Sequence, residues 1–323
     1  MFFIVFLLII TGCTHPTGMV VEEQKLTENT NSKPLVFFCP RDNCTQILYS
    51  FLNEAQVSIH CALYDLDLPR IIDLLHDRSQ AIDVKLITDS DNYENIENLG
   101  SVKQDNRSAL MHNKFCIIDS KKVFTGSFNP TENGAYKNNN NMVIIESKYL
   151  AGNYESEFDE MWEGDFGRGE KVITPVFYLN GHRIENYFCP EDDCAYHVQQ
   201  ELRKANETIY FMAFSFTHDK IANEMVLKHY EGVDVRGVFE KTRISNYSKY
   251  HLLEYQGIDV KMDNNKYVMH HKVWIIDNRT VITGSFNPSA SADERNDENI
   301  VIIEGPILAV EFLQEFKQAQ ITH

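Results

Sequence analysis

Positive charge is scarce in this 323-residue chain: 30 lysines and arginines stand against 47 aspartates and glutamates, a formal net charge of −17 and a pI near 5.1. Most of such a surface repels polyanions, which disfavours tight, processive binding along nucleic acid and confines any anion site to a local positive cleft. Proline and glycine number only 9 and 15, too few for a disordered low-complexity chain. With 43% hydrophobic residues the chain can bury one large core or two moderate ones. The apolar run from Phe2 to Ile10 falls short of the roughly 20 residues that cross a bilayer, and no lysine or arginine precedes it.

That short run suits the apolar region of a signal peptide. It closes on Ile10-Thr11-Gly12-Cys13, which resembles the lipobox of prokaryotic lipoproteins and would make Cys13 the lipidated first residue. Residues 14–33 are polar and read as a tether. The expectation is an exported protein, either anchored on the outer face of a prokaryotic membrane or secreted.

Cysteine usage fits an oxidising compartment. Cys39 and Cys44 recur as Cys189 and Cys194 at an identical offset of 150, each pair following a phenylalanine and enclosing a proline. Each Cys-x4-Cys reads as a local disulfide stapling the turn before a helix; a metal site lacks a third cysteine or a histidine at suitable spacing. Cys61 and Cys116 lie in apolar, strand-like runs and are expected as buried thiols.

The largest repetition is a motif. Met111-His112-Asn113-Lys114-Phe115-Cys116-Ile117-Ile118-Asp119 returns as Met269-His270-His271-Lys272-Val273-Trp274-Ile275-Ile276-Asp277. Both copies run on to Thr-Gly-Ser-Phe-Asn-Pro, carrying Ser127 and Asn129 in one and Ser285 and Asn287 in the other. The apolar runs have the length and branching of buried strands, and alternation points His112 and Lys114, like His270 and Lys272, to one face. The polar stretches at Asp119 and Asp277 read as turns into returning strands, which would carry the serine and asparagine back beside the histidine and lysine. An imidazole, a fixed cation and neutral donors together suit an anionic oxygen centre such as a phosphodiester.

The pattern His-x-Lys-x4-Asp with a downstream Gly-Ser-x-Asn resembles the signature of the phospholipase D superfamily, and the resemblance spans nearly the whole chain after the N-terminal segment. It implies a metal-independent, cofactor-free, two-step phosphodiester transfer through a phosphohistidine. One histidine attacks phosphorus; the other protonates the leaving oxygen and then activates water. Lys114, Lys272, Ser127, Ser285, Asn129 and Asn287 would hold the nonbridging oxygens, while Asp119 and Asp277 complete the catalytic set as structural or orienting groups. In the family an acid at the position of Glu298 sets the tautomer of a catalytic histidine; the first repeat has Asn140 there. Family habit makes His112 the nucleophile.

Each half repeats one order of elements: cysteine pair, helix, strand, helix, strand, the His-x-Lys hairpin, a closing strand and a final helix. Strands alternating with helices argue an α/β class. The expected architecture is two pseudo-twofold-related repeats, residues 34–166 and 172–323, each a mixed β-sheet flanked by helices, after a signal segment (1–13) and tether (14–33). Glycines 164, 167 and 169 mark the link. An internal duplication removes the need for a dimer, so a monomer is expected. The resemblance implies a phospholipid substrate at a membrane surface, with an endonuclease acting on DNA or RNA as the alternative. A scaffold with a relict fold is disfavoured because both copies keep the full residue set.

Overall fold

The computed structural model describes residues 25–99 and 101–321. The first repeat contains β2 (Leu35–Cys39), α1 (Cys44–Asn53), β3 (Ser58–Leu63), α2 (Pro69–Ser79), β4 (Asp83–Asp89), β5 (Val102–Asp105), β6 (Lys114–Ile118), β7 (Lys122–Gly126), α3 (Glu132–Tyr136), β8 (Asn140–Glu146) and α4 (Lys148–Glu163), after a short β1 (Thr27–Glu28). The second contains β9 (Val176–Leu179), β10 (His182–Cys189), α5 (Cys194–Arg203), β11 (Thr208–Ala213), α6 (Asp219–Tyr230), β12 (Asp234–Phe239), α7 (Tyr250–Tyr255), β13 (Asp259–Met262), β14 (Lys272–Ile276), β15 (Thr280–Gly284), α8 (Ala290–Glu294), β16 (Glu298–Glu304) and α9 (Pro306–Ile321).

Two sheets result, in the orders β2-β8-β7-β6-β3-β4-β5 and β1-β9-β10-β16-β15-β14-β11-β12-β13. Apart from β1 and β9 they correspond strand for strand. Both are mixed, since β3-β4-β5 and β11-β12-β13 pair in parallel while β6 and β14 run antiparallel to their neighbours. The central strands β6 and β14 are buried along their whole length, so their sequences are continuous apolar runs after the lysine. On one face of β6, Phe115 and Ile117 join a core shared by both repeats; on the other, Cys116 and Ile118 join a core beneath α1 and α2. The shared core lies between the sheets and takes Tyr154 and Phe158 from α4 and Phe312 and Phe316 from α9. Packing of this apolar layer holds the halves together and sets where their strand ends meet.

The hairpin turns follow from local chemistry. Asp119 and Ser120 adopt φ of 52° and 49°, Asp277 and Asn278 φ of 49° and 51°, a left-handed region that aspartate and asparagine tolerate best among side-chain-bearing residues. Gly126 and Gly284, at φ of 140° and 147°, let β7 and β15 pass so near their neighbours that a Cβ would meet the carbonyl oxygens of Asn141 and Asn299 at 2.4 and 2.2 Å. Glycine is therefore needed in each Thr-Gly-Ser.

Two expectations require correction. Cys61 and Cys116 are not free thiols: they stand directly opposite each other on β3 and β6 and form a disulfide, with a Cα separation of 4.0 Å. Their 55-residue separation hides the pairing, which only the antiparallel register creates. The second repeat places Phe211 against Trp274 at the same point. The end of the stretch read as a tether is also fixed: β1 pairs with β9 of the second repeat, while the Glu28 carboxylate accepts hydrogen bonds from Ser147 and Lys148 at the start of α4. The signal segment and Cys13 lie outside the described residues. Among the described residues no helix is long and apolar enough to cross a membrane. The Cys39–Cys44 and Cys189–Cys194 disulfides form as expected.

The disulfides should differ in worth. By chain entropy a 55-residue crosslink outweighs a 5-residue one by about 2 kcal/mol. Replacing Cys61 and Cys116 together by alanine should lower the denaturant midpoint more than replacing Cys39 and Cys44; equal shifts would contradict this.

Candidate active site

The two His-x-Lys segments enter their strands from the seam between the repeats. The His112 backbone N–H donates to the Asp297 carbonyl at 3.0 Å, and the Asp297 N–H returns to Leu110 at 2.9 Å, a parallel bridge between Met111 and Asp297. The mirror contact joins Asn139 to Met269: His270 N–H donates to Asn139 O at 2.8 Å, and Asn139 N–H to Val268 O at 2.9 Å. Each histidine is thus stitched to the residue preceding the other repeat's last strand. Asp89 and Glu240, at matching ends of β4 and β12, accept from the Met111 and Met269 backbones and fix the same approach.

This crossing decides the support of each imidazole. Glu298, first residue of β16, meets His112 Nδ1 at 2.8 Å through Oε1. Asn140, first residue of β8, meets His270 Nδ1 at 2.8 Å through Oδ1, and the Ser127 carbonyl lies 3.1 Å from the same nitrogen. All these partners are oxygen acceptors; the Asn140 amide is oriented by its donation to Gly134 O. With Glu298 ionised, Nδ1 carries the proton in both rings and Nε2 carries the lone pair. The two histidines are not equivalent, one resting on a carboxylate and the other on an amide.

Beside each imidazole is a buried lysine. Lys114 Nζ donates to His112 O and Lys272 Nζ to His270 O at 2.7 Å. Their ammonium groups stand over Tyr64 and Phe214 at 5.1 and 4.7 Å, and the same two rings pack edge-on to His112 and His270 at 4.9 and 4.6 Å. The lysines are 0% and 1% exposed and the histidines 7% and 9%, so of the four only the histidines keep appreciable contact with solvent. Burial, then the Lys114 and Lys272 charges, pushes His112 well below its ordinary value; burial, Lys272, Lys114 and His112 do the same to His270. Burial lowers Lys114 to about 7 against the pull of Glu298, and burial with Lys114 pushes Lys272 well down. Glu298 is raised to about 8 by burial, opposed by Lys114. Like charges in a dry pocket are held back from full protonation, a state that an entering anion relieves.

Of the other expected residues, Ser127 and Ser285 lie at the ends of the returning strands but bind locally. The Ser127 hydroxyl bonds Asn140 and Asn141, and Ser285 accepts from Asn299 N–H at 2.9 Å. Asn129 and Asn287 each have a buried side-chain oxygen with no partner, leaving both amides uncommitted. Asp119 and Asp277 are not part of the cluster. Each sits at the far end of a five-residue strand from its lysine and clamps the chain entering β3 or β11: Asp119 accepts from Gln56, Val57 and Ser58, and Asp277 from Asn206, Glu207 and Thr208. Partial burial raises these carboxyls, but the backbone donors hold both below the ordinary aspartate value. Their place at the strand end is a matter of residue count and follows from the motif itself.

Several residues escaped the sequence reading. The central positions of the two motifs, Asn113 and His271, bond Asn299 at 2.7 Å and Asn141 at 3.2 Å. Asn299 also accepts from Thr125 at 2.8 Å and Asn141 donates to Thr283 at 2.7 Å, so asparagines exchange across the seam in both directions. The run Asn138 to Asn141 is thus an inter-repeat surface. Tyr64 and Phe214 could have been found from their shared 150-residue offset. In the segment after β12, Tyr250 packs on Phe239 in the core, whereas Tyr247 is exposed.

Glu157, Glu160 and Glu191 bring three carboxylates within 4.8 Å of one another, apart from the histidines. Burial and then Glu191 push Glu157 well up, so this group can persist by sharing a proton.

A family model described as cardiolipin synthase, PLD-like domain, matches residues 48–162 and 198–320. The chain is 36% identical over 139 residues to a phospholipase D of Rickettsia conorii, covering 43% of this chain and 70% of that one. It is 35% identical over 118 residues to the human mitochondrial cardiolipin hydrolase, covering 36% and 47%. Phosphatidylserine synthase of Haemophilus influenzae shares the fold with a TM-score of 0.68 at 12% identity, over 87% of this chain and 85% of that one.

The depressed lysine and histidine values predict that inorganic phosphate binds with proton uptake and that its affinity falls as pH rises from 7 to 9. Calorimetry in buffers of different ionisation enthalpy measures this directly; binding without proton uptake would contradict it.

Proposed function

This chain belongs to the phospholipase D superfamily, and we propose that it is a metal-independent phosphodiesterase that hydrolyses phospholipids through a phosphohistidine at His112. One observation carries the reading: two imidazoles, each with Nδ1 held by the other repeat and Nε2 without a protein partner, stand near enough to two buried lysines that each lysine charge acts on both rings. His112 Nε2 attacks phosphorus, the P–O bond to the leaving alcohol breaks, and His270 Nε2–H supplies the alcohol's proton. Water then attacks phosphorus, giving its proton to His270, and the P–N bond pair returns to His112. The phosphodiester anion itself offsets the depression of His270 and favours the protonated form this first step needs.

Lys114 and Lys272 stabilise charge on the nonbridging oxygens through both steps, and the uncommitted amides of Asn129 and Asn287 are suited to assist. Glu298 selects His112 as nucleophile, because a carboxylate on Nδ1–H stabilises the positive ring that attack creates better than an amide does. Asp119 and Asp277 act on the fold alone.

Phospholipid is favoured over nucleic acid by the net charge of −17, which leaves little basic surface for a polyanionic strand, and by the names of the relatives. Export with lipidation at Cys13 would place the site at a membrane surface, in accord with three disulfides.

Purified protein incubated with EDTA should release headgroup from phospholipid and leave single-stranded DNA and RNA intact; nucleic-acid cleavage without lipid hydrolysis would replace this reading with a nuclease. His112→Asn and His270→Asn should each lower kcat by about three orders of magnitude or more with an unchanged circular dichroism spectrum. Near-normal turnover in either would contradict the paired mechanism.

A further inference from the structure

The mouth of the site is electrically lopsided. The short helical turns after β4 and β12 begin at the equivalent acids Asp89 and Glu240, and three residues beyond them stand Asn92 in the first repeat and Arg243 in the second. Asn92 is spent on its own repeat, donating to the Tyr64 carbonyl at 2.8 Å. Arg243 lies with its guanidinium 4.5 Å from the centre of the Phe214 ring, the ring that also touches Lys272 and His270. It is exposed, and its side chain makes no hydrogen bond or ion pair to any described residue, whereas Arg41, Arg107, Arg168, Arg183, Arg203, Arg236 and Arg279 all pair with acids. The neighbouring positions reinforce the asymmetry: Asp65 and Asp91 of the first repeat correspond to Ser215 and Thr242 of the second.

An exposed guanidinium over the aromatic ring that touches Lys272 and His270, without an acid partner among the described residues and in a protein of net charge −17, is a donor fork facing solvent. We propose that Arg243 is a specificity-determining residue that binds a second anionic group, one carried by the substrate's leaving alcohol. The inference rests on the phospholipid reading and extends it. With His112 attacking, the leaving oxygen departs on the His270 side, where Phe214 and Arg243 stand. A carboxylate or second phosphate on that alcohol would receive the guanidinium; a neutral or cationic alcohol would not.

The test uses lipids that differ by one such anion, each dilute in uncharged detergent micelles so that bulk surface charge is small. Phosphatidylserine is compared with phosphatidylethanolamine, and diphosphatidylglycerol with phosphatidylglycerol, as ratios of kcat/KM, which do not depend on the fraction of active protein. A charge-assisted pair predicts a preference of about tenfold or more for the anionic member of at least one pair, and which pair shows it identifies carboxylate or phosphate as the anion read. Arg243→Gln should bring that ratio close to one and Arg243→Lys should retain part of it. Ratios near one in both pairs, or a preference that Arg243→Gln leaves intact, would overturn the proposal while lipid hydrolysis stands. Hydrolysis of none of the four lipids would overturn the phospholipase reading and this proposal with it.

Discussion

The structure depends on an exchange of hydrogen bonds across the seam between its halves. Each His-x-Lys segment pairs its backbone with the other repeat, and each imidazole takes its Nδ1 partner from there, Glu298 for His112 and Asn140 for His270. No single repeat contains both an imidazole and the group that fixes its tautomer. Fusion of two units in one chain therefore does more than supply two histidines: it lets the units diverge, so that one imidazole rests on a carboxylate and the other on an amide. The asparagine network of Asn113, Asn141 and Asn299 with His271 repeats the exchange one layer deeper, and Arg41 and Arg107 add ion pairs to Glu315 and Asp297 of the other half.

The second constraint is electrostatic. Two lysines and two histidines are buried beside Glu298, with Asp65 and Asp89 also acting on Lys114, inside a protein that is otherwise strongly acidic. Alone, such a cluster would be costly, and the depressed lysine and histidine values express that cost. The strand ends are held by the shared apolar core on both sides, so the cluster cannot relax by spreading apart. The result is a rigidly held cationic cluster set in a strongly acidic surface.

Much of this was legible because it was written twice. Duplicate His-x-Lys segments, cysteine pairs and Thr-Gly-Ser turns fixed the repeat order, and the strand and helix positions follow from apolar runs and turn residues. What could not be read was mostly what depends on register between distant strands. Cys61 meets Cys116 only because β3 and β6 pair where they do, and Glu298 reaches His112 only because the repeats interlock. Asp119 and Asp277 show the reverse case: four residues of extended strand separate each from its lysine, a distance the motif already contained, and their role is to anchor the entry to β3 and β11. The inter-repeat contacts of the asparagines at 138–141 could not be read, because single-sequence patterning carries no information about a partner surface.

The most direct test of the crossed assignment is to find the covalent intermediate. The protein, mixed with phospholipid and quenched in alkali within milliseconds, would be digested and searched by mass spectrometry for a phosphatidyl adduct. The account predicts the adduct on the peptide containing His112; an adduct on the peptide containing His270 in active protein would contradict it.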